Sequence, residues 1–483
     1  MLIEIATGED VELFHTPDGT TYADIRVSGH RETWSTKSSS FNRWMRRSFY
    51  EQTGGAPNSE AMSTARQLVE ARAQFDGDTH FVYVRVAAHG DTVYVDLGDA
   101  KWRAIEIDAD GWRIVNEPPV RFRRSPGMLP LPEPALGGKL SELRNHLNLS
   151  DDSFVLCVAW LLAALRGRGP YPLLALAGEQ GTGKSTAGEK LRRLVDPNAA
   201  PLRGLPKDVR DLAISANNSH VLVFDNLSGI PADIADALCR MSTGGGFSTR
   251  ALYSDDEERL FDGMRPVLMT SITDVATRPD LADRTLVALF EMIAAKDRKT
   301  DEQVREDFEK AAPHILGALL DIVANGLKQQ TSLVRKKMNR LPRMADHAVW
   351  IRACEPINVI IDEQKGTRWS EGLHLEVYDR NREEAVEIVL ESDQVAVALR
   401  KYMETRKESN VTSTALLEVL GGMVTNEARR SKEWPANARA LSGRLRKLAP
   451  ALRSIGIVMS FARTGHEGTR EINLKRLPPK ERT

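Results

Sequence analysis

The stretch Gly178-Glu179-Gln180-Gly181-Thr182-Gly183-Lys184-Ser185 decides how this chain is read. It matches GxxxxGK[ST] at every position. An apolar run, Tyr171-Pro-Leu-Leu-Ala-Leu-Ala177, precedes it, and a helix-compatible stretch from Thr186 to Leu194 follows. Strand, glycine-rich loop and helix in that order form a phosphate cradle. Glycines let backbone amides converge on an anion without Cβ clashes. The helix N-terminus adds partial positive charge. Lys184 would then reach the β- and γ-phosphates and Ser185 would ligate magnesium. The segment from Gly178 to Thr186 is therefore expected to hold ATP with Mg2+.

A magnesium ion held this way needs an acidic group for its water shell. Val221-Leu-Val-Phe-Asp225 supplies one, an apolar strand ending in Asp225 some forty residues after Lys184. The next residue is Asn226, where many ATPases carry a glutamate that polarises the attacking water. An amide can orient water but cannot take its proton. Slow hydrolysis, or a carboxylate from elsewhere (Glu179 or Asp274), are the two ways out.

Further along, Thr243-Gly-Gly-Gly-Phe-Ser-Thr-Arg250, an acidic stretch and Arg259-Leu-Phe261 predict a β-hairpin. Arg265-Pro-Val-Leu-Met-Thr-Ser271 predicts a buried strand ending in hydroxyls, with Thr270 or Ser271 where a polar group would sense the γ-phosphate. Arg278-Pro-Asp-Leu-Ala-Asp-Arg284 follows. This order of phosphate loop, acid strand, glycine-rich hairpin, polar-ended strand and downstream arginine resembles the superfamily 3 helicases of the AAA+ class, in particular the helicase and primase-helicase proteins of phages and other mobile elements. The resemblance spans about residues 140 to 355. It implies a homo-oligomer, a hexameric ring with single-stranded DNA in its channel. It implies a channel hairpin at Gly244 to Arg250, with Arg250 or Arg259 meeting phosphates. It also implies an arginine that reaches the neighbour's ATP: Arg284 first, Arg278 second. The chain departs from the pattern at Asn226, where an acid is common, and at Thr270, where asparagine is common.

The net charge of the whole chain is only -1, so any nucleic-acid reading must rest on local charge. Residues 429 to 483 carry fourteen basic residues against four acidic ones. Within them, Leu441, Leu445 and Leu448 recur at helical spacing while Arg439, Arg444, Arg446 and Lys447 lie off that stripe. Two strand-like runs, Ile455 to Phe461 and Arg470 to Leu474, follow. Three helices and a strand pair resemble a winged helix, whose third helix would enter the major groove of duplex DNA.

Residues 1 to 130 alternate strand and helix patterns and end in a proline-rich linker, Pro126 to Pro134. Strands are expected at Phe81 to Arg85 and Thr92 to Asp96, and a helix at Ser59 to Phe75. The aromatic and basic residues from Trp34 to Tyr50 fit an amphipathic helix better than a base-stacking surface. Glu106 and Asp108 fit a surface strand better than a two-metal polymerase site. Cys157, Cys239 and Cys354 are far apart, as buried small residues in a reducing cytosol would be. The longest apolar stretch, Phe154 to Leu165, is too short to span a bilayer.

The expected fold is thus multidomain α/β: an N-terminal α+β accessory domain over 1–130, a P-loop core of AAA+ type with a parallel sheet over 131–295, helices packed on it over 296–384 with 357 to 380 irregular, and a winged-helix-like basic domain over 385–483. The expected function is an ATP-dependent, cytoplasmic DNA helicase in replication of a mobile element, with a separate primase or loader left open as partner. A DNA-binding initiator or regulator that uses ATP only as an assembly switch is the second reading. A small-molecule P-loop kinase would leave the basic C-terminal module without use.

Overall fold

The structure is a computed structural model. It describes residues 1–245, 247–250, 258–261, 263–272, 278–329, 331–338, 340–356, 359–431, 434–464 and 469–478.

The sheet that positions the site has four parallel strands. Their order is Leu222–Leu227, Val267–Ser271, Leu173–Ala177 and Thr285–Leu289. The strand leading to the glycine-rich loop therefore lies between the hydroxyl-ended strand and Thr285–Leu289, and the acid strand is one place further out. Alternate side chains enter two different cores, as the period of two requires. Leu174, Leu176, Val223, Leu268, Leu286 and Ala288 face one cluster, whose centre is the helix Asp151–Ala164. Leu173, Ala175, Leu222, Phe224, Val267, Met269 and Val287 face the other. The helix Asp151–Ala164 is apolar all round because it is buried nearly all round. Its start is fixed by Ser150, whose hydroxyl accepts from the Ser153 amide.

The strand Thr285–Leu289 lies at a sheet edge. Its free backbone groups are met by side chains: Ser153 accepts from the Leu289 amide at 2.9 Å, and Asn381 serves Val287. Asn381 accepts from the Val287 amide at 2.9 Å and donates to the Val287 carbonyl at 2.8 Å, as a fifth strand would. Asn381 lies on the helix Leu373–Ser392. That helix corrects two expectations. Part of the stretch 357 to 380 is helical, and one continuous helix crosses the boundary placed at 384. The sequence hid it because its apolar stripe is thin, and much of what it buries is polar: His374, Tyr378 and Asn381.

The N-terminal part contains two four-stranded sheets and a two-stranded one, in which Val82–Tyr83 pairs with Arg121–Phe122. The first orders His30–Ser35, Thr21–Val27, Val11–His15 and Asp78–Thr79, with the helices Ser39–Thr53 and Ser59–Phe75 against it. Phe41 and Met45 are fully buried there, and Trp34, Trp44 and Phe49 pack around them, so this aromatic group is core. The second sheet is a meander of Val86–His89, Thr92–Asp96, Ala104–Asp108 and Gly111–Val115. A strand does lie within 81 to 85, at Val82–Tyr83, but it pairs with Arg121–Phe122, and the first strand of the hairpin around His89 to Asp91 is Val86–His89. Arg85 breaks the run with a positive φ of 68°. Val86, Val95, Ile105 and Ile107 share one core with the helix Asp151–Ala164. This second sheet therefore belongs physically with the P-loop core, across the boundary expected near 130.

Arg85 is the strut of that junction. Fully buried, it pairs with Asp196 at 3.1 Å and donates to the carbonyls of Asp96 and Leu129. Asp196 also accepts from the amides of His220 and Val221 at the entry to the acid strand. Glu106 and Asp108 are both paired with Arg113, and among the described residues no acidic or histidine cluster could hold a metal.

The C-terminal part has its own core. Its order is helix Gln394–Glu404, strand Glu408–Thr412, helices Ser413–Gly421, Asn426–Arg430 and Ala438–Ser454, and strands Ile457–Thr464 and Thr469–Arg476. The strand Glu408–Thr412, not foreseen from the sequence, pairs with Thr469–Arg476 to make the sheet three-stranded. Leu441, Leu445 and Leu448 are buried as their spacing implied. All three cysteines are buried. No described helix is long and apolar enough to cross a membrane.

Candidate functional site at the strand tips

The loop after Ala177 turns on three glycines. Gly178, Gly181 and Gly183 have φ of 150°, 80° and 87°, values that a side chain disfavours. At Gly178 a Cβ would also lie 2.9 Å from the carbonyl oxygen of Phe290. Gly183 opens the helix Lys184–Arg193, so the free amides of its first turn face the loop. Thr182 is buried and its hydroxyl donates to the Glu179 carbonyl at 2.9 Å, closing the loop on itself.

Lys184 arches back over this loop. Its Nζ donates to the carbonyls of Gly178 at 2.8 Å and Glu179 at 2.6 Å. Burial pulls its ammonium below the ordinary lysine range, and the Asp225 carboxylate opposes that pull. Ser185, the next residue, donates to Oδ1 of Asp225 at 2.8 Å. The hydroxyl and the carboxylate named for magnesium are thus already neighbours. An ammonium, a hydroxyl and a carboxylate around a loop whose three glycines hold positive φ is a donor set that fits a magnesium triphosphate.

The acid strand bends where it needs to. Its register with Val267–Ser271 slips between Phe224 and Leu227, and Asn226 takes a φ of 56°. That bulge releases Asp225 and Asn226 from the ladder. Thr270 fixes the bend: its hydroxyl donates to Oδ1 of Asp225 at 2.5 Å and accepts from the Asn226 amide at 2.9 Å. The hydroxyl read as a phosphate sensor is therefore committed to the acid strand. Ser271 is buried and its Oγ has no partner among the described residues. The Asn226 side chain is exposed, Glu179 is exposed, and Asp274 lies outside the described residues.

Arg284 sits just before Thr285–Leu289, and its carbonyl accepts from Leu173 at the start of the loop strand. The loop leaves the other end of that strand. Five residues separate the two ends, roughly 16 Å, so Arg284 lies away from its own chain's Lys184. Its Nη1 donates to the Asp280 carbonyl at 2.6 Å, and its buried Nε has no partner among the described residues. Arg278 is paired with Asp236 and Asp280. Strands Phe247–Arg250 and Glu258–Phe261 form an antiparallel hairpin. The acidic stretch between them and the side chains of Arg250 and Arg259 lie outside what the structure describes.

In the C-terminal helix, Arg439, Arg446 and Lys447 are exposed, and Arg446 lies over the Phe461 ring at 4.3 Å. Arg444 is engaged otherwise. It pairs at 2.8 Å with Asp393, the residue that caps the helix Gln394–Glu404. The sequence missed this pairing because fifty-one positions separate the partners.

Two solved structures are similar to this chain. One is the apo C-terminal region of NrS-1, at 11% identity and TM-score 0.40, covering 99% of this chain and 98% of that one. The other is JCV helicase with a bound acetamide compound, at 13% identity and TM-score 0.24, covering 43% and 61%. Both scores are below 0.5, too low for either likeness to bear on the site. No curated protein shows a significant match. Residues 139–358, which hold the entire strand-tip site, match the family described as the actinomycete integrative conjugative element replication protein. Residues 395–482 match the family described as the AICE RepA C-terminal domain. In its core and in its C-terminal region, this chain is similar to the replication protein of an actinomycete integrative conjugative element.

Proposed function

We propose that this chain is an ATP-driven DNA translocase, a helicase of superfamily 3 type, that serves the replication of a mobile element. The observation that carries the reading is the bonded set of Ser185, Asp225 and Thr270 at the tips of three adjacent parallel strands, with Lys184 folded over the loop beside it. Lys184 and the loop amides from Gly178 to Thr186 would hold the phosphates of ATP, and Ser185 and Asp225 would hold Mg2+, which neutralises charge on the triphosphate. Arg284, placed at the far end of the sheet, would serve the site of a neighbouring subunit in a hexameric ring. The hairpin Phe247–Arg250 with Glu258–Phe261 falls between the acid strand and the hydroxyl-ended strand, where a channel loop that follows nucleotide state would be useful. The C-terminal order of helices followed by a strand pair supports reading this part as a winged helix, in which Arg439, Arg446 and Lys447 would meet duplex phosphates.

The test is strand displacement on forked DNA with ATP and magnesium, in both fork polarities. Wild type should separate the strands and Lys184→Ala should not. ATP hydrolysis with no displacement on any fork would reject the helicase claim.

One observation favours the second reading. The water-polarising position is Asn226, an amide on a strained backbone, with its N–H committed to Thr270. An initiator or regulator switched by ATP would bind duplex DNA sequence-specifically through residues 385–483 and turn over barely above background. Equal affinity of the full chain for origin-like and random duplexes would remove this reading.

A further inference from the structure

Between Asp321 and Asp346 the chain has no acidic residue and six basic ones: Lys328, Arg335, Lys336, Lys337, Arg340 and Arg343. The density matches that of the C-terminal module, but this segment lies in the core. It runs from the end of the helix Asp301–Lys328 through the short helix Thr331–Lys337 to the helix Ala345–Cys354.

Several surface arginines elsewhere in the chain are ion-paired. Arg103 pairs with Asp99 and Glu133, Arg113 with Glu106 and Asp108, Arg380 with Asp152. Lys328, Arg335, Lys336, Lys337 and Arg340 are all exposed, and none of them has an ion-pair partner among the described residues. Three of these cations close the last turn of Thr331–Lys337, where the helix dipole favours them. That interaction does not reach Arg340. The segment is also pinned in place: Arg343 pairs with Asp283, which Arg382 holds from the other side at 2.8 Å, directly beside Arg284. Five like charges on one anchored, exposed segment repel one another, and an anionic partner relieves that repulsion.

We propose that Lys328, Arg335, Lys336, Lys337 and Arg340 form a second DNA-phosphate contact surface on the core, separate from the hairpin and from the C-terminal helix. The partner is the sugar-phosphate backbone rather than base edges. Three of the five are lysines, whose ammonium groups act as point charges toward phosphate, and such contacts carry no sequence information. The inference rests on the reading of the chain as a DNA-acting protein, but it does not depend on ATP hydrolysis.

The test uses the full chain and the variant Arg335→Ala, Lys336→Ala, Lys337→Ala. Alanine keeps the helix, and exposed substitutions of this kind leave stability within about 0.5 kcal/mol. Binding to a thymidine oligonucleotide and to a random duplex is measured by anisotropy across a range of salt concentrations. Each phosphate that the protein no longer neutralises makes the slope of log affinity against log salt shallower by about 0.7 to 0.9. The triple variant should therefore show a slope shallower by about 2 to 3 and roughly tenfold weaker affinity, on either DNA and irrespective of sequence. An unchanged slope overturns the proposal. Weakened self-association with an unchanged slope also overturns it and assigns the patch to a neighbouring protein surface. Failure of ATP hydrolysis in wild type would count against the proposed function while leaving this result standing.

Discussion

Ser185 and Asp225 are forty residues apart in sequence and joined by a 2.8 Å hydrogen bond. The bond places the hydroxyl that opens the loop helix against the carboxylate that ends the acid strand. Asp225→Asn keeps the shape and removes the charge. The magnesium concentration needed for half-maximal hydrolysis should then rise at least tenfold, and the rate at saturating magnesium should fall on the order of 10²-fold. Nucleotide binding in the absence of magnesium should change little. A magnesium titration of ATP hydrolysis in the two proteins decides the matter.

Thr270 bridges the Asp225 carboxylate and the Asn226 amide. Thr270→Val keeps the volume, leaves the Asn226 amide unmet and takes from Asp225 one of its two hydroxyl donors, at about 1–3 kcal/mol of stability. The maximal rate should fall more than ATP affinity does, because the bend and not the phosphate cradle is disturbed. Thr270→Ser should restore both. A valine variant with the wild-type rate would show that the bend does not depend on this hydroxyl.

The Arg85–Asp196 pair is fully buried at the junction of the second N-terminal sheet and the core. Removing one partner leaves a buried charge. Arg85→Met should therefore lower stability by about 3–5 kcal/mol, read as a shift of the urea midpoint. A change below about 1 kcal/mol would mean that the junction is held by apolar packing alone.

Three buried histidines make stability depend on pH. Burial lowers His220 to about 4, His374 to about 3, and His347 well below its ordinary value. His220 still has a partner in the Ala164 carbonyl, but neither ring nitrogen of His347 or His374 has one among the described residues. A folded-state value below the unfolded value of about 6.5 means that the unfolded chain binds the extra proton. The contribution is present in full above pH 6.5 and is lost as pH falls from there toward the folded values. Each histidine then removes about 1.4 kcal/mol per pH unit. Urea midpoints at neutral and mildly acidic pH should differ clearly, and less so in His374→Phe. Equal midpoints in wild type would refute this.

The loop, the acid strand, the hairpin and the amphipathic C-terminal helix were legible because each is a local pattern: a fixed spacing, an apolar run, a helical period. The helix Leu373–Ser392 was not, because it buries the polar residues His374, Tyr378 and Asn381, and the place of Asn381 is explained only by its bonds to Val287 on the sheet edge. The start of the strand at Val86 was obscured by Arg85, whose buried position depends on Asp196, 111 residues away. Thr270 was placed correctly at its strand end, but its bond to Asp225 follows from strand order, which sequence alone does not state. The basic segment from Lys328 to Arg340 stood in plain view. What marks it is the run of six basic residues with no acid between Asp321 and Asp346, of which five are exposed and without an ion pair among the described residues.

The most direct test of a DNA-coupled ATPase built on Gly178 to Ser185 is the rate of ATP hydrolysis with and without single-stranded DNA, in wild type and Lys184→Ala side by side. DNA should raise the wild-type rate, and the variant should stay at background under both conditions. A rate that ignores DNA and is the same in the two proteins would contradict it.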